Sequence, residues 1–327
     1  MTGCYGAWVI LDRWQNGATD YQQLSHMKLH HLRDFIGVAE SGGIRSAARD
    51  LNLTQPALTK SIQQLEEELG TPLFERSARG AALTVYGQAF LVRARAAAHE
   101  LVRGREELQQ MLGSTGGTVS VAVSSVASLV FLPSALQSFR KEYPDADVRV
   151  VEGTYPVMLP ALRDGSVDFC VGPFPSPPKA DEFVIEELFK NHRCVVGRAD
   201  HPLRRAKTLA GLVDAHWIVT GAVGPHGQEF EEIFRSDGLP VPKAKTRCES
   251  LIALLALLAG SDSLAFLPHQ WASSPITRTL LAKIKIVESI PGPSTCLVRR
   301  SGLPLTPAAD ALATVFRREA AYYTNRG

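Results

Sequence analysis

The stretch LNLTQPALTKSIQQLEEELG, residues 51–70, is nearly uncharged in its first half and carries three consecutive glutamates in its second half. Thr54 is a suitable N-cap, and Pro56 falls in the first turn, where its missing N–H costs little. At about 100° per residue, one side of the predicted helix carries only apolar side chains. These side chains are Leu58, Ile62, Leu65 and Leu69. The stretch therefore predicts an amphipathic helix with one face turned to a core.

The opposite side of the N-terminal half presents short or hydrogen-bonding groups, with one positive charge and no acid. This set consists of Gln55, Pro56, Thr59, Lys60 and Gln63. The glutamates, residues 66–68, come more than a turn later. A helix that reads base edges needs this polarity, because its dipole also favours phosphate at the N-terminal end. Periodicity alone leaves a second interpretation open, a solvated polar face on a structural helix.

The flanking segments favour a DNA-binding module. Apolar residues recur at helical spacing over residues 29–39, and a compact second helix is predicted over residues 44–51, so that three short helices suggest helix-turn-helix. The segment TPLFERSARGAALT that follows, residues 71–84, predicts a small hairpin. Arg76 and Arg79 lie near its turn, where such a wing can carry arginine to phosphates or into a minor groove.

A long helix is predicted from Val85 to about Leu112, after Thr84 as its cap. Two tracks of small and apolar side chains run along it at heptad spacing. They are Ala94, Leu101 and Leu108, and Ala97, Gly104 and Met111. A helix of this length with such a seam is typical of a pairing surface, and pairing would match a two-fold symmetric DNA site. The segment GSTGGT, residues 113–118, is interpreted as a hinge.

Strands alternate with helices beyond the hinge, which predicts a parallel sheet with helices on its faces. The pattern divides into two α/β lobes. We expect lobe I at about residues 119–182 and 294–327, and lobe II at about residues 183–293. Two such lobes form a cleft at their junction, near the C-terminal ends of the strands. The fold class expected is thus multidomain, an all-α winged helix-turn-helix with a long dimerisation helix followed by a two-lobed α/β domain.

The composition sets limits on function. Net charge is only +2 for 327 residues, so nucleic-acid binding must depend on local charge placement. Five scattered cysteines form no C-x-x-C pair, which indicates reduced thiols in a cytoplasmic protein and no metal site. No apolar run is long enough to span a bilayer. Residues 1–26 are interpreted as a poorly ordered extension, with a small helix around Trp8 to Trp14 as the alternative.

Two other classes of protein have been weighed. Two α/β lobes also suit an enzyme, but the sequence has no G-x-S-x-G, no P-loop, no H-E-x-x-H and no Cys–His arrangement in a recognisable context. We therefore expect no catalytic residue and no cofactor. A free solute-binding protein would lack the N-terminal module and carry an export signal. Both alternatives leave residues 29–112 unexplained.

The segment AESGGIRSAARDLNLTQPALTKSIQQLEEELGTPLFERSARGAALTVYG, residues 39–87, resembles the LysR-type transcriptional regulators, and the resemblance extends from Met27 to the C-terminus. Later features agree, namely LP and F...YP at 132–144, L..G..D at 162–168, and LPLTPAADAL near the end. The resemblance implies a winged helix-turn-helix at 27–84, a dimerising linker helix at 85–112, and a periplasmic-binding-protein-like effector domain at 119–327. It also implies a homodimer or homotetramer on promoter DNA with an interrupted inverted repeat; RNA polymerase is a further candidate partner.

The resemblance places the DNA contacts on the third helix and the wing. The candidate residues are Arg45, Thr54, Gln55, Pro56, Thr59, Lys60, Gln63, Arg76 and Arg79. Two positions depart from the family pattern. Gly43 stands where a serine often caps the second helix, and Lys60 stands where arginine or alanine is common. Lysine lacks the bidentate fork of arginine, so a phosphate contact is expected of Lys60.

The family holds its inducer at strand ends that match two hydroxyl-bearing segments of lobe I. Ser124 and Ser125 follow the first strand, and Thr154 and Tyr155 follow the second. Hydroxyls and backbone N–H groups at helix N-termini suit a carboxylate or a sulfonate, so we expect a small organic acid as the effector. The candidates on lobe II are Thr220, Gly221, Glu249 and Ser250, with an apolar wall at Phe266 and Pro268. Each hydroxyl taken alone could be an ordinary N-cap, and this interpretation is favoured for Thr220 and Ser250.

Overall fold

The computed structural model describes residues 27–77, 80–174, 182–220 and 225–324. The expectation for residues 1–26 lies outside the described residues. The chain forms two compact units, and the division falls between Val102 and Arg103, inside one long helix. In the described part of the chain, no helix combines the length and apolarity that crossing a membrane requires.

The N-terminal unit is a helix-turn-helix with a two-stranded hairpin. Its elements are α1 (Leu29–Ser41), α2 (Ile44–Asp50), α3 (Gln55–Leu69), β1 (Phe74–Ser77), β2 (Gly80–Leu83) and the start of α4 (Val85–Met111). The hairpin strands are antiparallel. Phe35, Leu58 and Leu65 are fully buried in one core shared by the helices, as the apolar stripe of α3 predicts.

Polar contacts fix α3 against its neighbours. The buried Ser61 hydroxyl donates to the Asp34 carboxylate at 2.6 Å, which joins α3 to α1. The Glu66 carboxylate accepts from the backbone N–H groups of Leu73 and Phe74 at 2.7 and 3.1 Å. Hydrogen bonds of this charged kind are about twice as strong as neutral ones. Glu66 therefore anchors the first strand of the wing to α3.

A tight joint connects the wing to α4. The Thr84 hydroxyl donates to the carbonyl of Pro72 at 2.8 Å and accepts from the N–H of Gly87 at 3.0 Å. A Cβ built on Gly87 would lie 2.1 Å from the carbonyl oxygen of Leu73. The sequence LT..G thus has a steric and a hydrogen-bonding basis, since only glycine allows this approach.

The seam expected along α4 is present only in part. Leu101, Leu108 and Met111 are 54%, 63% and 72% exposed, as a surface available for pairing requires. Ala94, which the heptad pattern placed on the same track, is 2% exposed and packs in the core of the N-terminal unit. Its assignment to the seam was wrong, because the first turns of α4 use that face to cover the helix-turn-helix core.

The C-terminal unit alternates strands and helices. Its lobe I elements are β3 (Gly116–Val123), α5 (Ser125–Val130), α6 (Leu132–Phe139), β4 (Asp145–Glu152), α7 (Tyr155–Arg163) and β5 (Phe169–Pro173). The elements that follow are β6 (Phe183–Arg198), β7 (His216–Thr220), α8 (Pro225–Ser236), β8 (Thr246–Cys248), α9 (Leu251–Gly260), β9 (Ser263–Pro268), α10 (Gln270–Ser273), β10 (Leu281–Ile284), β11 (Ile290–Arg300) and α11 (Pro307–Thr324).

One mixed sheet runs through both lobes. The strand order is β4-β3-β5-β11-β6-β9-β7-β8, with β10 pairing β6. The strands β3, β4 and β5 are mutually parallel, as are β7, β8 and β9, whereas β6 and β11 run antiparallel to each other. Lobe I is covered by α5, α6 and α11 on one face and by α7 on the other.

The two lobes are joined by long strands rather than by loops. The strand β6 is continuous over 16 residues. This continuity follows from pairing, because β11 pairs with residues 183–193 of β6, while β9 and β10 pair with residues 193–198. The change of lobe therefore lies within β6 and β11, near Asn191 and Gly292, and not at residues 182–183.

The last turns of α4 are fixed to lobe I by side chains. Arg103 donates to the Asp168 carboxylate and to the carbonyl of Gly165, both at 2.6 Å. The Gln110 amide donates to the carbonyl of Gly116 at 2.9 Å and accepts from the N–H of Ala308 at 3.0 Å. We refer to these contacts as the helix clamp. The clamp bridges the segment 113–118 that was interpreted as a hinge.

We predict that Arg103→Ala lowers the free energy of unfolding of the C-terminal unit by about 3 kcal/mol, since it leaves a buried carboxylate without its cation. Arg103 and Asp168 side chains are 13% and 5% exposed. The measurement is urea unfolding of the full chain carrying Trp8→Phe and Trp14→Phe, so that fluorescence reports Trp217 and Trp271 alone.

Arg163→Ala is the matched control, because its partner Glu182 and Arg163 itself are 39% and 42% exposed. An exposed pair contributes less than about 1 kcal/mol. Equal losses in the two variants would contradict the role given to the helix clamp.

Candidate DNA interface and effector site

The N-terminal half of α3 has an exposed polar face. Gln55, Pro56, Lys60 and Gln63 are exposed, while Leu58 is fully buried on the other side. Among the described residues Lys60 has no ion-pair partner. The face is therefore free to meet an external polyanion, with the positive end of the helix dipole beside it.

Two threonines shape the start of this helix. Thr54 caps α3 by accepting from the N–H of Ala57 at 3.4 Å. Thr59 is half-buried, and its hydroxyl donates to the carbonyl of Gln55 at 2.9 Å, which leaves its oxygen lone pairs and methyl group for an outside contact. Arg45 is exposed near the start of α2. Arg45 therefore lies on α2, whereas Thr54, Thr59 and Lys60 lie at the start of α3.

The wing arginines are only partly located. Arg76 lies in β1, where its backbone pairs with Ala81 across the hairpin. Arg79 lies outside the described residues. The structure thus establishes the hairpin that the sequence predicted, and the contacts of both arginines stay predictions.

The C-terminal ends of the lobe I strands meet at one edge. The N–H of Ser124 donates to the carbonyl of Val171 in β5 at 2.8 Å, and the N–H of Gly153 donates to the carbonyl of Val123 in β3 at 3.2 Å. A Cβ on Gly172 would come within 3.0 Å of the Ser124 Cβ. This close packing brings the segments after β3, β4 and β5 together, as parallel strands dictate.

Ser124 and Ser125 differ in their contacts. Ser124 is 6% exposed and caps α5 by accepting from the N–H of Ala127 at 3.4 Å. Ser125 is half-buried, and its hydroxyl accepts from the indole N–H of Trp271 at 3.3 Å. Because Trp271 belongs to α10 in lobe II, this hydrogen bond joins the two lobes. Trp271 was not among the predicted site residues, and the only signal for it in the sequence was an indole three residues after the end of β9.

The other candidates of lobe I lie beside these serines in the sheet order. Thr154 is exposed and precedes α7, but its side chain makes no capping hydrogen bond. The Tyr155 ring packs edge-on against Phe174 with ring centroids 5.1 Å apart. Phe174 follows β5, so the aromatic pair links the ends of β4 and β5. The hydroxyl of Thr154 is therefore free for an outside partner.

Lobe II repeats the arrangement. Thr220 ends β7 and pairs with Cys248 at the end of β8, so Glu249 and Ser250 follow at the same edge. Ser250 caps α9 by accepting from the N–H of Ala253 at 3.3 Å, which is the ordinary capping role favoured from the sequence. Gly221 lies outside the described residues. Glu249 is exposed and would repel an anion at this edge.

Phe266 does not form the apolar wall of the effector site that the sequence predicted. Its side chain is 4% exposed and stacks near Trp217, with ring centroids 4.6 Å apart, inside the lobe II core. The alternation of side chains along β9 turns Phe266 inward, to the aromatic cluster with Phe230 and Phe234. Pro268 ends β9, is half-buried, and lies opposite Arg193 of β6. Of the two, only Pro268 stands at the edge of the lobe.

The register of the joining strands shows that the two edges face each other. Through β11, the end of β5 lies level with Phe189 of β6, because both Pro173 and Phe189 pair with Thr295. The end of β9 lies level with Arg193. These levels are four residues apart, or about 13 Å at about 3.3 Å per residue.

Redox and metal chemistry have no support in the described residues. Burial raises the pKa of the Cys194 thiol, and of the Cys296 thiol, to about 11. Burial also raises the pKa of Cys170. These three thiols are protonated at neutral pH and hence poor nucleophiles. Residues 27–77, 80–174, 182–220 and 225–324 contain no cluster of three or more His, Cys, Asp or Glu that could hold a metal ion.

Two family models match the chain. Residues 29–88 match the bacterial regulatory helix-turn-helix protein, lysR family, and residues 112–321 match the LysR substrate binding domain. Among curated relatives, the HTH-type transcriptional regulator GalR of Pseudomonas putida is 30% identical over 92% of this chain and 76% of its own. The regulator GbpR of Azospirillum brasilense is 32% identical over 73% of this chain and 71% of its own.

Solved structures agree in fold and include a DNA complex. Full-length CbnR complexed with its target DNA is 25% identical, with a TM-score of 0.64 over 90% of this chain and 100% of that chain. The CbnR crystal structure described as a LysR family transcriptional regulator has a TM-score of 0.66. Regulators of this family bind promoter DNA, oligomerise and carry a small-molecule effector domain, and they are not enzymes. The chain belongs to the LysR family of transcriptional regulators.

Proposed function

We propose that the exposed N-terminal half of α3 reads the major groove of promoter DNA with Gln55, Pro56, Thr59 and Gln63. Lys60 and Arg45 contact phosphates beside the groove. Thr54, the N-cap of α3, lies against the DNA backbone. The wing places Arg76 and Arg79 in the adjacent groove. The observation that supports this is an exposed face with one unpaired cation and no acid among its residues. Amide and hydroxyl groups on such a face can pair with base edges.

We predict that Lys60→Gln weakens binding to all DNA sequences alike and lowers the slope of log affinity against log salt by about one. Fluorescence anisotropy of the full chain on DNA from upstream of its own gene, over a series of salt concentrations, is the measurement. Lys28→Gln is the matched control, since Lys28 is also exposed in this unit but precedes α1. If both variants keep the salt slope of the unaltered protein, the phosphate contact is refuted.

We infer that the effector is a small organic acid bound between the facing edges of the two lobes. Ser124, Ser125, Thr154 and Tyr155 supply hydroxyls on lobe I. The segment at Thr220–Gly221, with Ser250 and Pro268, forms the other side. Glu249 is not a ligand contact in this proposal, because its carboxylate would repel the acid. The Ser125–Trp271 hydrogen bond carries this proposal, because it is a polar contact that a carboxylate can replace at the boundary of the lobes.

The helix clamp supports a mechanism by population shift. A ligand that replaces the Ser125–Trp271 contact changes the preferred angle between lobes. Lobe I carries the last turns of α4 with it through Arg103 and Gln110. In a dimer or tetramer formed along α4, that change alters the spacing of the DNA-binding modules on an interrupted inverted repeat. We place the protein in the cytoplasm, where promoter DNA is, with RNA polymerase as a further partner.

We predict that Ser125→Ala reduces the stabilisation conferred by the effector by about 1.5–3 kcal/mol, the free energy of one hydrogen bond to a charged group. Aromatic and aliphatic carboxylic acids are screened for those that raise the unfolding temperature of the full chain. The variant is then compared with Ser128→Ala, one turn along the same helix, as control. Ser125→Ala leaves the Ser124 cap of α5 in place, so the helix itself is not altered.

Two results would refute the effector proposal. One is that no acid raises the unfolding temperature while the matching uncharged amides do. The other is that Ser125→Ala and Ser128→Ala respond to the acids alike.

A further inference from the structure

A second cavity lies on the joining strands, and we call it the hinge groove. Its volume is about 1230 Å³, and its walls come from the middle of β6, from α10, from β10 and the segment after it, and from Tyr323 at the end of α11. None of the candidate effector residues lines it. The hinge groove is therefore a different site from the cleft that contains Ser125.

The walls of the hinge groove are predominantly cationic. Lys190, Arg278, Lys283 and Lys285 line it and are exposed, and among the described residues none of the four has an ion-pair partner. The opposing carboxylates are Glu187 and Glu288, and an oxygen of Glu288 already accepts from the N–H of Leu209 at 2.8 Å. Clustered cations without partners raise the local concentration of anions.

Two buried polar atoms in the walls have no protein partner within the described residues. They are the Nε of Arg193 and the Oε2 of Glu288. The Arg193 side chain is 13% exposed, and its terminal nitrogen donates to Glu229 at 2.7 Å, so the guanidinium is fixed with its Nε–H unused. A buried donor without a hydrogen bond destabilises the folded protein. Such an atom favours a bound polar molecule in the adjoining space.

The groove also has an apolar part. Leu188, Ile284, Ile286 and Ile290 line it, and the hydroxyl of Tyr323 lies 2.9 Å from the Nε2 of His269 at one wall. Cations beside aliphatic side chains suit a ligand with acidic groups on an apolar body. The acidic groups contact the cations, and the apolar body contacts the aliphatic side chains. A simple inorganic anion would leave the apolar part unused.

We propose that the hinge groove is a second small-molecule site, which takes an organic anion with at least two acidic groups on an apolar body. Lys190 at the middle of β6 and Lys283 on β10 are the main charge contacts. The site takes its walls from both lobes, with Leu188 and Tyr323 on one side and β10 on the other. A ligand there favours one angle between lobes and so modulates the response to the effector in the cleft.

The test uses benzene-1,3-dicarboxylate as the probe and isothermal titration calorimetry of the full chain. We expect saturable binding with a dissociation constant below about 1 mM. The double variant Lys190→Gln with Lys283→Gln should weaken it about tenfold or more, as loss of charged hydrogen bonds does. The control Lys141→Gln with Lys207→Gln removes the same charge from exposed lysines outside the groove and should leave the affinity unchanged.

Two further arms locate the probe and define its chemistry. Thr154→Ala removes a cleft hydroxyl that makes no capping hydrogen bond. It should leave the affinity for benzene-1,3-dicarboxylate unchanged, and a loss there would mean that the probe binds in the cleft and would overturn the second site. Sulfate and the neutral benzene-1,3-dicarboxamide should both bind at least about tenfold more weakly than the probe. Equal binding of either one overturns the ligand class.

The remaining outcomes also decide the matter. Absence of saturable binding, or equal weakening in the two lysine pairs, overturns the proposal. The proposal is also overturned if the unaltered protein does not bind the probe and Lys190→Gln with Lys283→Gln changes the oligomeric state. The groove would then be a contact between copies of the chain. Because all four lysines are exposed, the variants should keep the unfolding temperature of the unaltered protein.

Discussion

The helix clamp fixes the last turns of α4 to lobe I. Arg103 is held by Asp168 and Gly165, and Gln110 by Gly116 and Ala308. Asp168 also accepts from the N–H of Ser120 at 2.7 Å, so the same carboxylate fixes the first strand of lobe I. Side-chain hydrogen bonds thus fix the chain both before and after the glycine-rich segment 113–118, through Gln110 and through Ser120. The last turns of α4 are therefore fixed to lobe I, and the strands that join the two lobes, β6 and β11, come later in the chain.

Local patterns predicted the N-terminal unit well. The spacing of Leu58, Ile62 and Leu65 and the cap at Thr54 define α3, and both are properties of one short segment. The hairpin followed from a Gly-containing turn between two apolar stretches. Most of the LysR family motif also has a physical basis in the structure. Glu66 anchors the wing, Thr84 joins the wing to α4, and Gly87 is where a side chain would collide with the carbonyl of Leu73.

The sequence was a poorer guide wherever a residue's role depends on distant partners. Ala94 has the right heptad position for the seam, but the core of its own unit covers it. Phe266 follows the alternation of a strand whose inward face cannot be known without the opposite layer. The continuity of β6 depends on β11, about a hundred residues later. Ser125 and Trp271 meet across 146 positions, and no local pattern indicates that pair. The cations of the hinge groove likewise come from segments far apart in the sequence.

We propose that this chain reads a two-fold symmetric DNA site through the exposed face of α3. Hydroxyl-radical footprinting of the full chain on DNA upstream of its own gene tests this most directly, at a salt concentration that suppresses non-specific binding. We predict two protected tracts with inverted-repeat sequence on one face of the duplex, spaced by whole turns of about 10.5 base pairs. Uniform protection, or a single tract without symmetry, would contradict it.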